Sequence, residues 1–304
     1  MTLAPFQLLP WFDRRPWGRL HLEPWFPPAA EPVGEVWFHE RNRTDQGATL
    51  AELIRRHGPA LLGAQVNAPV FPILAKFIFT ADRLSIQVHP DDEYARRREN
   101  QWGKIEMWYV LRAEPEARLA LGFREQIGPE RFRQAALSGE IEDLIRWIPI
   151  RPGDVFLIYP GTVHALGPGV VLAEIQQNSD LTYRIYDYGR PRPLHLEPAL
   201  EVASMAPYPG CPPPLSLGKG RTLLARTGYF VTELIEVETP LRYRPEAERF
   251  HLLLILEGGG RLAGQEFRAG QCWLVPASAE PFDLHPEAPV RLLRSFPPLT
   301  PSAA

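Results

Sequence analysis

The sequence predicts a mostly β protein made of two units of short strands, with a few helices inserted in and beside the first. Three observations point there. Apolar runs are short, and in places alternate with period two, as in Leu84-Ser85-Ile86-Gln87-Val88-His89, the pattern of a half-buried strand. The 34 prolines among 304 residues suit a loop-rich β chain. Residues 268–277 repeat the turn, apolar strand and proline order of 151–161, and 250–259 reads as the strand and turn that open a β unit. Two echoes in the same order signal a duplicated architecture. The proline-rich run 207–214 then serves as a linker, dividing the chain into 1–214 and 215–304.

Composition removes several classes. A formal charge of −3 gives no nucleic-acid signature, and no apolar run reaches membrane-spanning length. The opening MTLAPFQLLPWFDRRPWG lacks the basic start and continuous apolar segment of a signal peptide. Two cysteines, Cys211 and Cys272, support neither a disulfide scaffold nor a cysteine metal cluster, and allow at most one bridge. A soluble cytoplasmic enzyme is the expectation, with a small molecule rather than a nucleic acid or membrane as its partner, as a monomer or weak homodimer.

Taken in order, residues 1–47 are rich in proline, glycine and tryptophan without periodic runs. Thr49 with Glu52 forms a capping box for a helix whose stripe is Leu50, Leu53, Ile54 and His57, ended by Gly58-Pro59. Phe71 to Phe79 reads as a buried strand with Lys76 inside it, and a buried ammonium requires an anion or an opening to a pocket. In 84–89 the alternation puts Gln87 and His89 on one side. Asp91 or Asp92 caps a short helix whose Arg96-Arg97-Arg98 run is a solvated face. In GKIEMWYVL (103–111), Lys104 and Glu106 share one side of a strand. Residues 129–148 suggest one or two short helices without chemistry of their own. The turn at 151–154 leads into the strand 155–158, and Pro160-Gly161-Thr162 redirects the backbone so that His164 faces inward. Glu174 follows Val170 to Ala173 into another strand. Tyr183 to Tyr188 alternates, with Arg184 and Tyr186 on the same side.

Gln87, His89, Glu106 and His164 are thereby candidates to converge on one metal from three strands. Two neutral imidazoles, a carboxylate and an amide oxygen suit Zn²⁺ or another borderline divalent ion, with room for water or substrate. Lysine usage adds a second signal. Of 33 basic residues only Lys76, Lys104 and Lys219 are lysine, and two of these fall in the suspected site segments. A compact ammonium enters a pocket where a planar guanidinium needs more width.

The segments LSIQVHPDDEYA (84–95), GKIEMWYV (103–110), PGDVFLIYPGTVHALG (152–167) and EIQQNSDLTYRIYD (174–187) resemble the short bacterial type I mannose-6-phosphate isomerases. The resemblance covers roughly the first two-thirds of the chain. It implies two cupin-like (jelly-roll) β-barrels and Gln87, His89, Glu106 and His164 as ligands of one divalent ion, Zn²⁺. It further implies Arg184 as the catalytic arginine, Glu174 as an active-site acid, and Lys76 and Lys104 as lysines lining the sugar-phosphate pocket. The implied reaction interconverts D-mannose 6-phosphate and D-fructose 6-phosphate through an enediolate. Glu174 is the first candidate for proton transfer, Lys104 for the relay, Arg184 for stabilising oxygen charge, and Lys76 for substrate phosphate or sugar oxygens. Another cupin sugar-phosphate isomerase or epimerase, or a noncatalytic sugar-binding regulatory cupin, is the alternative. The second unit has no histidine after Pro276 and no Gln-Val-His, so its expected role is structural.

Overall fold

The computed structural model describes residues 2–66 and 71–299, and its strands form four antiparallel sheets. A six-stranded sheet runs in the order Trp11–Arg19, Val33–Phe38, Ile73–Phe79, Val170–Gln177, Glu106–Ala113, Val155–Ile158. A five-stranded sheet runs Tyr183–Tyr186, Ile86–Val88, His164–Leu166, Arg118–Phe123, Ile145–Pro149. Residues beyond the linker supply most of a seven-stranded sheet and all of a four-stranded one. The seventh strand, Phe6–Leu8, comes from the start of the chain and pairs with Cys272–Val275, Phe6 opposite Leu274.

The layering explains the apolar patterns. In Ile73–Phe79 the residues Ile73, Ala75, Phe77 and Phe79 turn to a cluster shared with Phe250, Leu252, Leu254 and Leu274 of the seven-stranded sheet. Ile78 turns the other way, into a cluster with Trp108, Leu172, Leu121 and Leu166, where the six- and five-stranded sheets meet. This strand is buried on both faces, so it reads as a continuous apolar run instead of an alternation. Each fully buried large side chain contributes about 1.5–3 kcal/mol. Lys76 is the exception, on the same inward side as Ile78. A third cluster, with Leu253, Ile255, Trp273, Leu284 and Leu292, fills the space between the seven- and four-stranded sheets with apolar side chains. The remaining face of the five-stranded sheet is covered by the helices Pro129–Ser138 and Leu196–Val202.

Local signals are met at the helix starts. Thr49 and Glu52 form the reciprocal capping box of Leu50–His57, and Asp91 caps Asp92–Glu99 by accepting from the Tyr94 N–H at 2.8 Å. The short helices expected within 129–148 are Pro129–Ser138 and Ile141–Leu144, and an edge strand on Arg118–Phe123, Ile145–Pro149, follows them. The edge tolerates Pro149, which has no N–H to donate. One expectation needs correction: Arg184 and Tyr186 do not share a side, because a bulge between them breaks the register; Arg184 enters the inner cleft while Tyr186 packs under the helices. No helix among the described residues is long and apolar enough to cross a membrane.

Candidate metal centre and cleft

Strand register brings the suspected residues into two rows. Directly opposite residues of an antiparallel pair point to one face. On the six-stranded sheet Trp37 lies opposite Lys76, Lys76 opposite Glu174 and Glu174 opposite Trp108, and Glu106 stands two residues from Trp108 on the same side. On the five-stranded sheet Arg184 lies opposite Gln87, which lies opposite His164. His89 follows two residues after Gln87. The two rows face one another across an open cleft with a cavity volume of about 160 Å³.

Next to its lining residues Gln87 and Lys104, His89, Glu106 and His164 are buried, and their donor atoms lie within 4.8 Å of one another. His89 Nε2 is 3.6 Å from Glu106 Oε2, and His164 Nε2 is 3.4 Å from Oε1. Each imidazole is oriented by its other nitrogen: His89 Nδ1 sits 3.0 Å from the Leu181 carbonyl and His164 Nδ1 2.9 Å from that of Thr162. Those carbonyls accept an N–H, which leaves both Nε2 lone pairs directed inward. His89 Nε2 and Glu106 Oε1 are buried without a hydrogen-bond partner, while Glu106 Oε2 is met by the Lys104 ammonium at 2.7 Å; the two open atoms are costly in a protein interior unless a cation completes them. Burial and the Lys104 ammonium push His89 down to about 3, and burial lowers His164 as well. Burial alone would raise Glu106, but Lys104 and His89 outweigh it and hold the carboxyl well below its usual range. Neutral imidazoles with an ionised carboxylate are the states a divalent cation requires. The triad fits a divalent metal such as Zn²⁺.

Gln87 is adjacent to the triad, with its Nε2 3.2 Å from His164 Nε2 and its Oε1 accepting from the Ser85 hydroxyl at 3.3 Å. To offer its oxygen toward the triad the amide must turn over.

Beyond the triad the cleft floor carries a chain of alternating charge. Lys104 Nζ is 2.7 Å from Glu106 Oε2 and 3.7 Å from Glu174 Oε1; Lys76 Nζ is 3.4 Å from Glu174 Oε1 and 3.2 Å from Glu35 Oε2. Glu35 continues to Arg15 Nε at 3.3 Å and accepts from the Trp37 indole at 2.7 Å. Trp108 donates to Glu174 Oε2 at 3.0 Å, and Oε1 makes no hydrogen bond. Burial and the nearby Glu106 charge raise the Glu174 carboxyl despite both lysines. Glu174 and Glu35 overcome the burial of Lys76 and keep its ammonium protonated. Arg184 closes the cleft wall, its Nη1 donating to the Pro193 carbonyl at 2.8 Å.

Five of the eight expected residues, Lys76, Gln87, Lys104, Glu174 and Arg184, line the cleft, and His89, Glu106 and His164 lie buried behind Gln87 and Lys104. Glu35, Arg15 and Arg192, to which sequence reasoning assigned no role in the site, also line the cleft. The signal for Glu35 was present in Lys76, which needed an anion; nothing in the N-terminal segment marked Arg15.

No family model matches the chain. It is 34% identical over 298 residues to the probable mannose-6-phosphate isomerase GmuF of Bacillus subtilis, covering 90% of this chain and 93% of that protein. The crystal structure of the mannose 6-phosphate isomerase from Bacillus subtilis superposes with a TM-score of 0.87 at 29% identity, covering 96% of this chain and 99% of the other. A zinc-bound mannose 6-phosphate isomerase shares the fold at 16% identity, with a TM-score of 0.79 over 98% of this chain and 100% of its own.

Proposed function

We propose, since the chain belongs to the type I mannose-6-phosphate isomerases of the cupin superfamily, that it interconverts D-mannose 6-phosphate and D-fructose 6-phosphate. The observation that carries the reading is the triad His89, Glu106 and His164, buried with unsatisfied donor atoms next to a cleft. Gln87, by turning its amide, becomes the fourth ligand. When bound, the ion supplies a Lewis acid for the oxygens on C1 and C2 of the sugar.

The remaining work falls to side chains of the cleft. Glu174 takes the proton from C2 of the aldose and returns it to C1 of the ketose. Its raised pKa brings it nearer to working pH, and the unbonded Oε1 leaves a lone pair for that task. Trp108 fixes the other oxygen. Lys104, between Glu106 and Glu174, orients a hydroxyl and assists the relay. Arg184 stabilises the developing enediolate charge and binds substrate. Lys76 has two carboxylate neighbours and a third donor for a sugar oxygen or the phosphate.

Residues 1–214 form a catalytic cupin barrel with its helical insertions and linker. Residues 215–304 form a second, metal-free barrel, whose core side chains include Leu253, Ile255, Trp273, Leu284 and Leu292.

A coupled isomerase assay on chelator-treated protein, followed by restoration with single metals, tests the reading. Activity should vanish on metal removal and return with Zn²⁺ or a similar ion, and His164→Ala should prevent the return. Full turnover by thoroughly metal-free protein would refute it.

A further inference from the structure

We propose that Arg15 is a phosphate-recognition residue of the cleft, one that selects phosphorylated over free sugar. The proposal rests on the isomerase reading above. Arg15 is carried by the strand Trp11–Arg19, which crosses Val33–Phe38 with almost no space between backbones. A Cβ on Gly18 would stand 2.4 Å from the Val33 carbonyl carbon, and one on Gly34 would stand 2.5 Å from Arg15 Cβ. Only glycine fits at both places, and the close crossing delivers Arg15 to the cleft.

Its guanidinium is held but not used up. Asp13 Oδ2 at 2.7 Å and Glu35 Oε1 at 3.3 Å both approach Nε, and among the described residues neither Nη group has a protein acceptor. The other cations of the cleft keep fewer donors. Lys76 and Lys104 each face two carboxylates, as Arg15 does, but each divides three N–H groups between them where a guanidinium has five. Arg192 gives Nε and Nη2 to Asp187, both at 2.6 Å. Arg184 uses Nη1 on a neutral carbonyl. Arg15 and Arg184 are thus the cations with most donors to spare. Burial lowers Arg184 below the usual arginine range, with Arg192 and Arg15 adding to this and Asp187 opposing it; burial would lower Arg15 too, but Glu35, Asp13 and Asp180 outweigh it and raise Arg15. A phosphate dianion matches those spare donors, and guanidinium forks suit its oxygens in pairs.

The test uses zinc-loaded protein with Arg15→Ala and Arg15→Gln, the latter keeping more of the side-chain stem. Three readouts apply: KM and kcat for mannose 6-phosphate, the kcat/KM ratio of mannose 6-phosphate to free mannose, and the Kd of inorganic phosphate by calorimetry. Losing a charge-assisted hydrogen bond should raise KM and the phosphate Kd about tenfold to a hundredfold, with the loss in KM rather than kcat, and should lower the phosphorylated-to-free ratio similarly. Values within twofold of the unsubstituted protein in the phosphate titration and in KM would overturn the assignment. A fall in kcat at constant KM would also overturn it, showing a structural role through Glu35. If the unsubstituted protein does not isomerise mannose 6-phosphate, the isomerase reading fails separately, and the phosphate titration still decides the role of Arg15. Should Arg15→Ala fail to fold, Arg15→Gln carries the same criteria.

Discussion

His89 shows how one environment sets both the identity and the working range of a ligand. Burial and Lys104 hold its pKa down to about 3, against an ordinary value of 6.5. An exposed histidine gains a proton as pH falls through 6.5 and then competes with metal; His89 stays neutral until far lower. Zinc affinity, measured by competition with a chromophoric chelator, should therefore change less than threefold between pH 8 and pH 6, and a tenfold loss over that range would contradict the assigned state. Glu35 is the residue to change next. Glu35→Gln leaves Lys76 with Glu174 as its remaining carboxylate neighbour. Removing one partner of a buried charge network typically costs several kcal/mol; because Glu174 remains, about 1–3 kcal/mol in urea unfolding is expected.

Elements differ in how openly the sequence announces them. The capping box at Thr49 and the strand Val155–Ile158 follow from local chemistry alone, a hydroxyl and carboxylate three apart and a turn before an apolar run. Thr49→Ala should lower stability by about 1 kcal/mol and leave zinc affinity unchanged, since it removes a cap on a helix that contributes no ligand. His89, Glu106 and His164 were legible because polar residues stood inside apolar strands, where an unpartnered group is expensive. The partnership of Glu35 with Lys76 was not, because it depends on which strands become neighbours. The strand at 145–149 was not foreseen for a related reason. Its apolar spacing fits a short helix as well as an edge strand, and the pairing with Arg118–Phe123 decides between them. The bulge at Ile185 likewise lies in the pairing, and alternation alone could not show it.

Across the whole molecule the largest apolar cluster lies between the six- and seven-stranded sheets, uniting residues from both sides of the linker. Phe77 and Phe250 are both fully buried there. Phe250→Ala should cost about 3–5 kcal/mol, and because the cluster belongs to both halves, the loss should shift one common unfolding transition. Separate transitions for the two halves in calorimetry would contradict this shared core.

The pairing of Phe6–Leu8 with Cys272–Val275 has a consequence for biosynthesis. Cys272–Val275 is made long after Phe6–Leu8, and until it follows, the early strand has only its bridge from Leu8 to Thr44, with its other edge open to neighbouring nascent chains.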